Sequence, residues 1–347
     1  MIVPGFLHAI PGAFADMVDV TGMQLLHYPC RNLPIASEEC VVPPEIERID
    51  RRTALAWAKE ISVAEYLQRE RFLKTRPFSR GLTIHSLVDE ASDTILASCE
   101  TYRVPVHVPG RSTDAYGLGI ASVFVDEGQR GHGYAAELLR RLHRQFAEDG
   151  AALCYLMSEI GPTLYARLGY VALTLRLRRY PACALPSSTK ARWLTTADLP
   201  EVLASHHPPM GSPLHIPPSQ EQLDWHLARG RYYAQLAGFQ FPSEIGARCD
   251  DAVAVWKPDF RSEGMRLRVL LLAARAPSAA VSDVIVAAQG IAHQLSLPTV
   301  EVWESDAQTP LLTGGELHES SDVPMMLPLA NDVRATDFHD VQRYHWL

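Results

Sequence analysis

The chain has 347 residues, long for one average domain and comfortable for two. Its 47% hydrophobic content supplies a packed core and excludes disorder as the default state. With 32 Lys and Arg against 40 Asp and Glu, a net charge of −8, it lacks the basic patch of a nucleic-acid binder; an acidic surface better suits a cationic small substrate.

Residues 1–40 open the chain as an N-terminal extension. Met1 to Cys30 is apolar, but it has no Lys or Arg before Arg31 and is broken by Asp16 and Asp19, which fits neither a secretory signal nor an Arg-rich transit peptide. No apolar run reaches membrane-spanning length. Pro43-Pro44 starts a charged helical stretch. Ser62-Val63-Ala64-Glu65 is a capping box for a second helix, Val63 to Leu73, ended by Pro77 and Gly81. Leu82 to Val88 and Thr94 to Val104 predict a hairpin around an Asp89–Asp93 turn. Leu118 to Val125 predicts the next strand. After the loop Gln129 to Ala135, the stripe Ala135, Leu138, Leu139, Leu142 and Phe146 predicts a helix over Ala136 to Phe146. Leu153 to Met157 reads as a buried strand, Thr163 to Leu168 as a short helix closed by Gly169, and Tyr170 to Leu177 as a further strand. Pro181 to Lys190 reads as a linker between a domain at 41–180 and another at 191–347.

The second half echoes the first. Val269 to Leu272 and Val300 to Trp303 read as strands around a helical stripe of Val281, Val284, Ile285, Ala288, Ala292 and Leu295. Ala273-Ala274-Arg275-Ala276-Pro277 stands where the first half has its glycine loop. Shared ancestry with a lost phosphate site and the generic pattern of an α/β layer both account for this. Six cysteines, Cys30, Cys40, Cys99, Cys154, Cys183 and Cys249, show no Cys-x-x-Cys pair and read as reduced thiols of a cytoplasmic protein.

The most specific stretch is Gln129-Arg130-Gly131-His132-Gly133-Tyr134-Ala135. It lies between a strand and a helix start, where free helix amides favour an anion, glycine allows close backbone approach and Arg130 adds charge. No Gly-Lys-Ser/Thr follows, so it is not a Walker loop, and no third glycine makes it a dinucleotide fingerprint. The same glycines would also serve a plain tight turn.

Arg130 to Ala135 resembles the pyrophosphate-binding motif of the GNAT superfamily of acetyl-CoA-dependent N-acetyltransferases, and Leu164-Tyr165-Ala166-Arg167-Leu168-Gly169-Tyr170 resembles its second motif. More narrowly, Tyr66-Leu67-Gln68-Arg69-Glu70, Gly81-Leu82-Thr83-Ile84, Ser98 to Arg103, Trp225-His226-Leu227-Ala228-Arg229, Val323-Pro324-Met325 and Tyr344-His345-Trp346 resemble the fungal lysine N6-acetyltransferase family, which acetylates the ε-amine of free lysine. The first 40 residues and Leu203 to Pro218 carry no resemblance. The resemblance implies an α/β fold with a central mixed sheet flanked by helices, plus a C-terminal degenerate GNAT-like domain. It implies acetyl-CoA as co-substrate, no metal, a small-molecule amine as acceptor and direct transfer without an acyl-enzyme. The pantetheine arm would pair with Val123, Phe124 and Val125, and an amide near Val125 would face the oxyanion. The pyrophosphate would sit on Arg130, Gly131, His132, Gly133, Tyr134 and Ala135. Tyr165 would protonate the departing thiolate.

An acceptor ammonium with a pKa near ~10.4 must lose a proton. Glu100, on one strand face with Ser98 and Tyr102, is the candidate base, and Glu159 the second. A core tyrosine at 165 and a solvent-facing Glu100 are the plain structural alternatives. Cys154, on a buried strand, reads as inert rather than nucleophilic. His206-His207, His226, His339 and His345 fit no zinc spacing and read as surface or interface residues. Asp337, Asp340 and the Leu347 carboxylate would meet a cationic substrate if the tail folds back, and a frayed tail is the commoner outcome. Two other functions stay open: acetylation of another small amine, such as a polyamine, amino-sugar or secondary metabolite, and non-catalytic acetyl-CoA binding in a regulatory protein. Protein acetylation is disfavoured by the second domain, which would crowd a peptide groove.

Overall fold

A computed structural model describes residues 21–33, 42–111, 115–186, 189–205, 214–261 and 264–346. In chain order the strands are β1 (Met23–Pro29), β2 (Leu82–Asp89), β3 (Thr94–Pro105), β4 (Tyr116–Phe124), β5 (Leu153–Ser158), β6 (Val171–Ala172) and β7 (Arg176–Pro181). They continue as β8 (Arg192–Leu194), β9 (Gly246–Cys249), β10 (Ala252–Asp259), β11 (Arg266–Ala273), β12 (Thr299–Glu304), β13 (Glu316–Glu319) and β14 (Val323–Pro328). The helices are α1 (Pro44–Trp57), α2 (Val63–Lys74), α3 (Tyr134–Glu148), α4 (Thr163–Ala166), α5 (Leu199–Ala204), α6 (Gln220–Leu236) and α7 (Ala279–Gln294).

Local chemistry explains most of these elements. The box at α2 closes in both directions: Ser62 Oγ accepts from the Glu65 amide at 3.2 Å, and the Glu65 carboxylate accepts from the Ser62 amide at 2.7 Å. The apolar stripe of α3 faces inward, with Leu138, Leu139 and Leu142 fully buried. Each such leucine stabilises the fold by roughly 1.5–3 kcal/mol.

The strands form two mixed sheets with the same plan. One runs β1-β2-β3-β4-β5-β14-β6 and the other β8-β9-β10-β11-β12-β7-β13. In each, antiparallel strands lead to one parallel step across a helix: β4–α3–β5 with Gly117 opposite Leu153, and β11–α7–β12 with Leu267 opposite Val300. The predicted echo is therefore a repeat of topology. The next strand of each sheet is supplied from outside its own run. β7, which follows the first sheet's helices, pairs with β12, and β14, which follows the second sheet's, pairs with β5.

This exchange corrects the single strand expected over Tyr170 to Leu177. The chain leaves the first sheet after Ala172, turns through residues 173–175 and enters the second sheet at Arg176. The alternation reads as continuous because Leu173, Leu175 and Leu177 all pack against the first core. The arginines that alternate with and follow them pair instead with second-sheet acids, Arg176 and Arg178 with Glu304 and Arg179 with Glu301 at 3.0 Å. β1 was not expected at all. It pairs along its length with β2, and His27 and His85 meet there, Nδ1 to Nδ1, at 2.7 Å. The rest of the 1–40 extension, 1–20 and 34–40, lies outside the described residues.

The halves also meet through α2 and α6. Phe72 stacks on Tyr232 at 6.1 Å, Tyr232 donates to the Glu65 carbonyl at 2.7 Å, and Arg76 pairs with Asp224 at 2.5 Å. Among the described residues no helix is long and apolar enough to cross a membrane.

A fragment of residues 42–186 lacks β14 and so leaves the outer edge of β5 unpaired. It should aggregate or melt without cooperativity where the full chain melts sharply, as read by circular dichroism. A soluble fragment with a sharp transition would show that the exchange is dispensable.

Candidate active site

The glycine loop forms an anion cradle. Gly131 and Gly133 adopt φ of +83° and +76°, and Gly133 is the N-cap of α3 with no side-chain cap bond. The first paired helical amide is that of Glu137, donating to the Gly133 carbonyl at 3.0 Å, so the amides before it face outward. Arg130 and His132 are exposed beside them, and the His132 ring stacks on Tyr134 at 5.7 Å. The Arg130 side chain turns back, Nε donating to the Val125 carbonyl at 3.2 Å. These features fit a pyrophosphate: free amides, a helix N-terminus and a nearby guanidinium.

The strand before the cradle is bent by one extra residue. Ser98 faces Phe124 and Glu100 faces Ala121, so β4 spends three residue steps where β3 spends two. Ser122 sits in this bulge at φ +52°. On its other side β4 stays paired to β5 only from Gly117 to Ile120, so residues 121–124 have a free edge. Val123 lines the cavity that opens there, and Val125 is half-buried just beyond the strand. Phe124 points away: its ring is buried, 6.0 Å from Trp57 and capped by Arg52. Only its backbone belongs to this edge.

The cavity, about 220 Å³, brings together Glu100, Glu159 and Tyr165. Tyr165 lies on the short α4, held by the Tyr170 ring at 5.8 Å. Burial, then Cys99 and Glu159, push its phenol up to about 12, so it is protonated at neutral pH. Glu100 is not solvent-facing. Ser122 Oγ donates to its carboxylate at 3.1 Å, and Lys74 Nζ stands 3.6 Å away. Burial raises its pKa against the pull of Lys74. Cys154 is buried, and burial raises its pKa too; an un-ionised core thiol is no nucleophile.

Sequence reasoning missed the charge network behind Glu100. Lys74, 3% exposed, is bound by Asp50 at 2.9 Å and Glu70 at 3.0 Å. Burial opposes its charge, but Asp50, Glu70 and Glu100 together hold the ammonium well above the usual lysine range. Burial would raise Glu70 as well, yet Lys74 and Arg69 bring it down to about 2. Asp50, Glu70 and Glu100 offer oxygens close enough to share a cation, and the Lys74 ammonium stands among them. The spacing of Glu70 and Lys74, one helical turn apart, was the available sequence signal.

The tail and the histidines also differ from expectation. Residues 335–346 fold back and pack, with Tyr344 and Trp346 buried, so the tail is not frayed. It brings Arg343, His345 and Trp346 to the cavity rather than Asp337 or Asp340. Asp340 is buried elsewhere, lifted by burial to about 6 and held by Gln308. Leu347, His206 and His207 lie outside the described residues. His226 and His345 are core residues, each 1% exposed, that clamp the tail: His226 Nε2 meets the Tyr344 carbonyl at 2.9 Å, and His345 Nε2 the Ile216 carbonyl at 3.2 Å. Both rings read as surface residues only because their partners are more than a hundred positions away.

Comparison with known families gives this geometry a class. Residues 45–172 match the Acetyltransferase (GNAT) domain, and the protein is an acetyltransferase enzyme on a GNAT fold. More particularly, residues 181–320 match the LYC1 GNAT-like C-terminal domain, so a GNAT acetyltransferase domain is followed by a LYC1-like second domain. The fold is similar to that of a conserved protein from Enterococcus faecalis V583, at 12% identity over 88% of this chain and 73% of that one, TM-score 0.57. It is also similar to a GCN5-related N-acetyltransferase from Kribbella flavida (18% identity, 89% and 72%, TM-score 0.52). A third likeness is to Saccharomyces cerevisiae N-myristoyltransferase with bound myristoyl-CoA (9% identity, 89% and 79%, TM-score 0.52). At these identities the likeness is one of fold. No curated protein sequence matches the chain.

Gly133→Ala puts a Cβ on a left-handed residue, a strain of about 1–2 kcal/mol that would shift the cradle amides. The KM for acetyl-CoA should rise roughly tenfold while that for the amine holds. An unmoved acetyl-CoA KM in steady-state kinetics would remove the cradle from CoA binding.

Proposed function

We propose that the enzyme transfers the acetyl group of acetyl-CoA directly to a primary amine, and that the acceptor is the ε-amine of free L-lysine. The observation that carries the transfer is one cavity holding Tyr165, Glu100 and the free β4 edge beside the cradle. The cradle amides from Gly131 to Ala135 and the Arg130 charge hold the pyrophosphate, and the backbone of Val123 to Val125 lies along the pantetheine arm. Acetyl-CoA supplies the activated acyl group. Glu100, its basicity raised by burial, takes the proton from the acceptor ammonium; Glu159, exposed at the cavity, is the alternative acceptor of that proton. Tyr165, protonated at neutral pH, gives its proton to the leaving thiolate.

Lysine as acceptor rests on two supports. One is the LYC1-like second domain together with the short segments of family resemblance. The other is the acidic side of the cavity, where Glu70, Glu100, Glu159 and Asp322 would favour an ammonium group. A small acceptor, rather than a protein, is supported by the second domain and tail, which wall the cavity through Trp225, Trp303 and Trp346.

A thiol-release assay with acetyl-CoA and a panel of amines tests this. L-lysine should be turned over in preference to polyamines and amino-sugars; no turnover of lysine retires that acceptor. Tyr165→Phe should keep CoA affinity and lower kcat on the order of 10²-fold or more. Glu100 is raised in the folded protein, so kcat should fall as pH drops through a value above the ordinary carboxylate range near ~4.3. Glu100→Gln should lower kcat and abolish that acid limb. A limb that survives the substitution assigns the base to another group.

A further inference from the structure

Four residues that line the cavity carry buried hydrogen-bond donors without acceptors among the described residues. The Tyr155 hydroxyl and the indole N–H groups of Trp225 and Trp346 have no hydrogen-bond partner among the described residues, although these residues are only 1%, 3% and 4% exposed. Arg343 Nε has none either; its Nη1 donates to the Trp346 carbonyl at 2.8 Å. All four residues line the cavity. Tyr155 reaches it because Gly119 leaves the space: a Cβ there would come within 2.7 Å of the phenol. The wall is continuous. Tyr155 packs edge-on to Trp346 at 5.1 Å, Trp346 lies 6.4 Å from Trp303, and the Arg343 guanidinium covers Trp303 at 4.9 Å.

Cationic groups gather here. Arg229 also lines the cavity and stacks 5.6 Å from the Trp225 ring, with no ion pair among the described residues. Lys257 stands behind it, 7% exposed and likewise without an ion pair among them. Asp259, the acid that acts on Lys257, is already engaged by Arg261 at 2.8 Å and Arg268 at 2.9 Å. Burial first, then neighbouring guanidinium groups, lower all three pKa values: Arg69 and Arg261 act on Arg229, Arg229 and Arg343 on Lys257, and Arg268 and Arg229 on Arg343, which falls to about 9.

An indole N–H can only donate, and a buried donor without an acceptor is costly. A ligand group that brings both acceptor oxygens and negative charge meets every one of these demands. A guanidinium fork matches a carboxylate in shape as well as charge. The pyrophosphate cradle is a separate place, at the N-terminus of α3, and its loop does not line this cavity.

We propose that Arg229 and Arg343, with the donors of Tyr155, Trp225 and Trp346, receive the carboxylate of the amino-acid acceptor and so select it over amines that lack one. Its ammonium meets Glu100, the proposed base. The proposal rests on the acetyl-transfer reading of the same cavity and adds the residues that select the acceptor.

The test uses two probes that differ only in the carboxylate, 6-aminohexanoate and pentylamine, titrated calorimetrically into the full chain with CoA. The wild type should bind 6-aminohexanoate at least tenfold more tightly than pentylamine. Arg229→Gln and Arg343→Gln should each bring that ratio toward one, and Arg343→Lys should restore part of it. Equal binding of the two probes by the wild type overturns the proposal whatever the variants do, as does a ratio unchanged in both Gln variants. The thiol-release assay on the same probes separates the two readings. Selective binding without turnover of any amine removes acetyl transfer and keeps the carboxylate wall. Turnover of both amines with equal kcat/KM keeps acetyl transfer and removes the wall.

Discussion

The reciprocal exchange of β7 and β14 is the constraint on which the rest of the molecule depends. A strand beside a parallel step cannot present a bare edge in a buried sheet, because its unpaired amides and carbonyls need partners. In the first sheet β14 satisfies β5 from Leu153 to Ser158, and in the second β7 satisfies β12 from Thr299 to Glu304. Each sheet is thus finished by chain that belongs, by order, to the other. The consequence reaches the cavity directly. β14 runs antiparallel to β5 and leaves the sheet beside Leu153 and Ala152, and the residues after it come back to the cavity. There His226 and the Ile216 carbonyl hold the tail in place.

The second determinant is charge in a dry setting. Removing Lys74 from water is unfavourable, and its pairing with Asp50 and Glu70 mostly offsets that cost rather than adding stability. What the cluster supplies is position. It joins α1, α2 and β3 at one point and fixes Glu100 between Lys74 and Ser122. The bulge that places Ser122 also splays β4 from β5. One extra residue therefore opens the cavity and orients the carboxylate beside it.

The parts legible in sequence are those governed by short-range chemistry. The Ser62–Glu65 box, the stripe of Leu138, Leu139 and Leu142 and the paired glycines 131 and 133 carry their reasons within a few residues. Tyr165 was legible because Gly169 and Tyr170 lie beside it. Glu100 could be placed on a strand face, but its surroundings could not, since Lys74 and Ser122 come from other elements. The segments around Arg69, Trp225 and Tyr344 resembled a family without revealing why. In the fold they converge on one cavity from three distant parts of the chain. The break at residues 173–175 was hidden for a related reason: Leu173, Leu175 and Leu177 all pack into one core, while Arg176, Arg178 and Arg179 answer acids of the other sheet. Alternation records burial and is silent about which sheet provides it.

The return of β14 also sets a timetable. Between the end of β5 at Ser158 and the start of β14 at Val323 the ribosome must add the whole second sheet. At typical elongation rates that is roughly 10–30 s during which the apolar edge of β5 stays open. The donor wall at Arg343 and Trp346 emerges later still. The cavity is therefore assembled at a late stage of synthesis, and a nascent chain that already holds Tyr165 and the glycine loop still lacks one wall of it and keeps an open sheet edge.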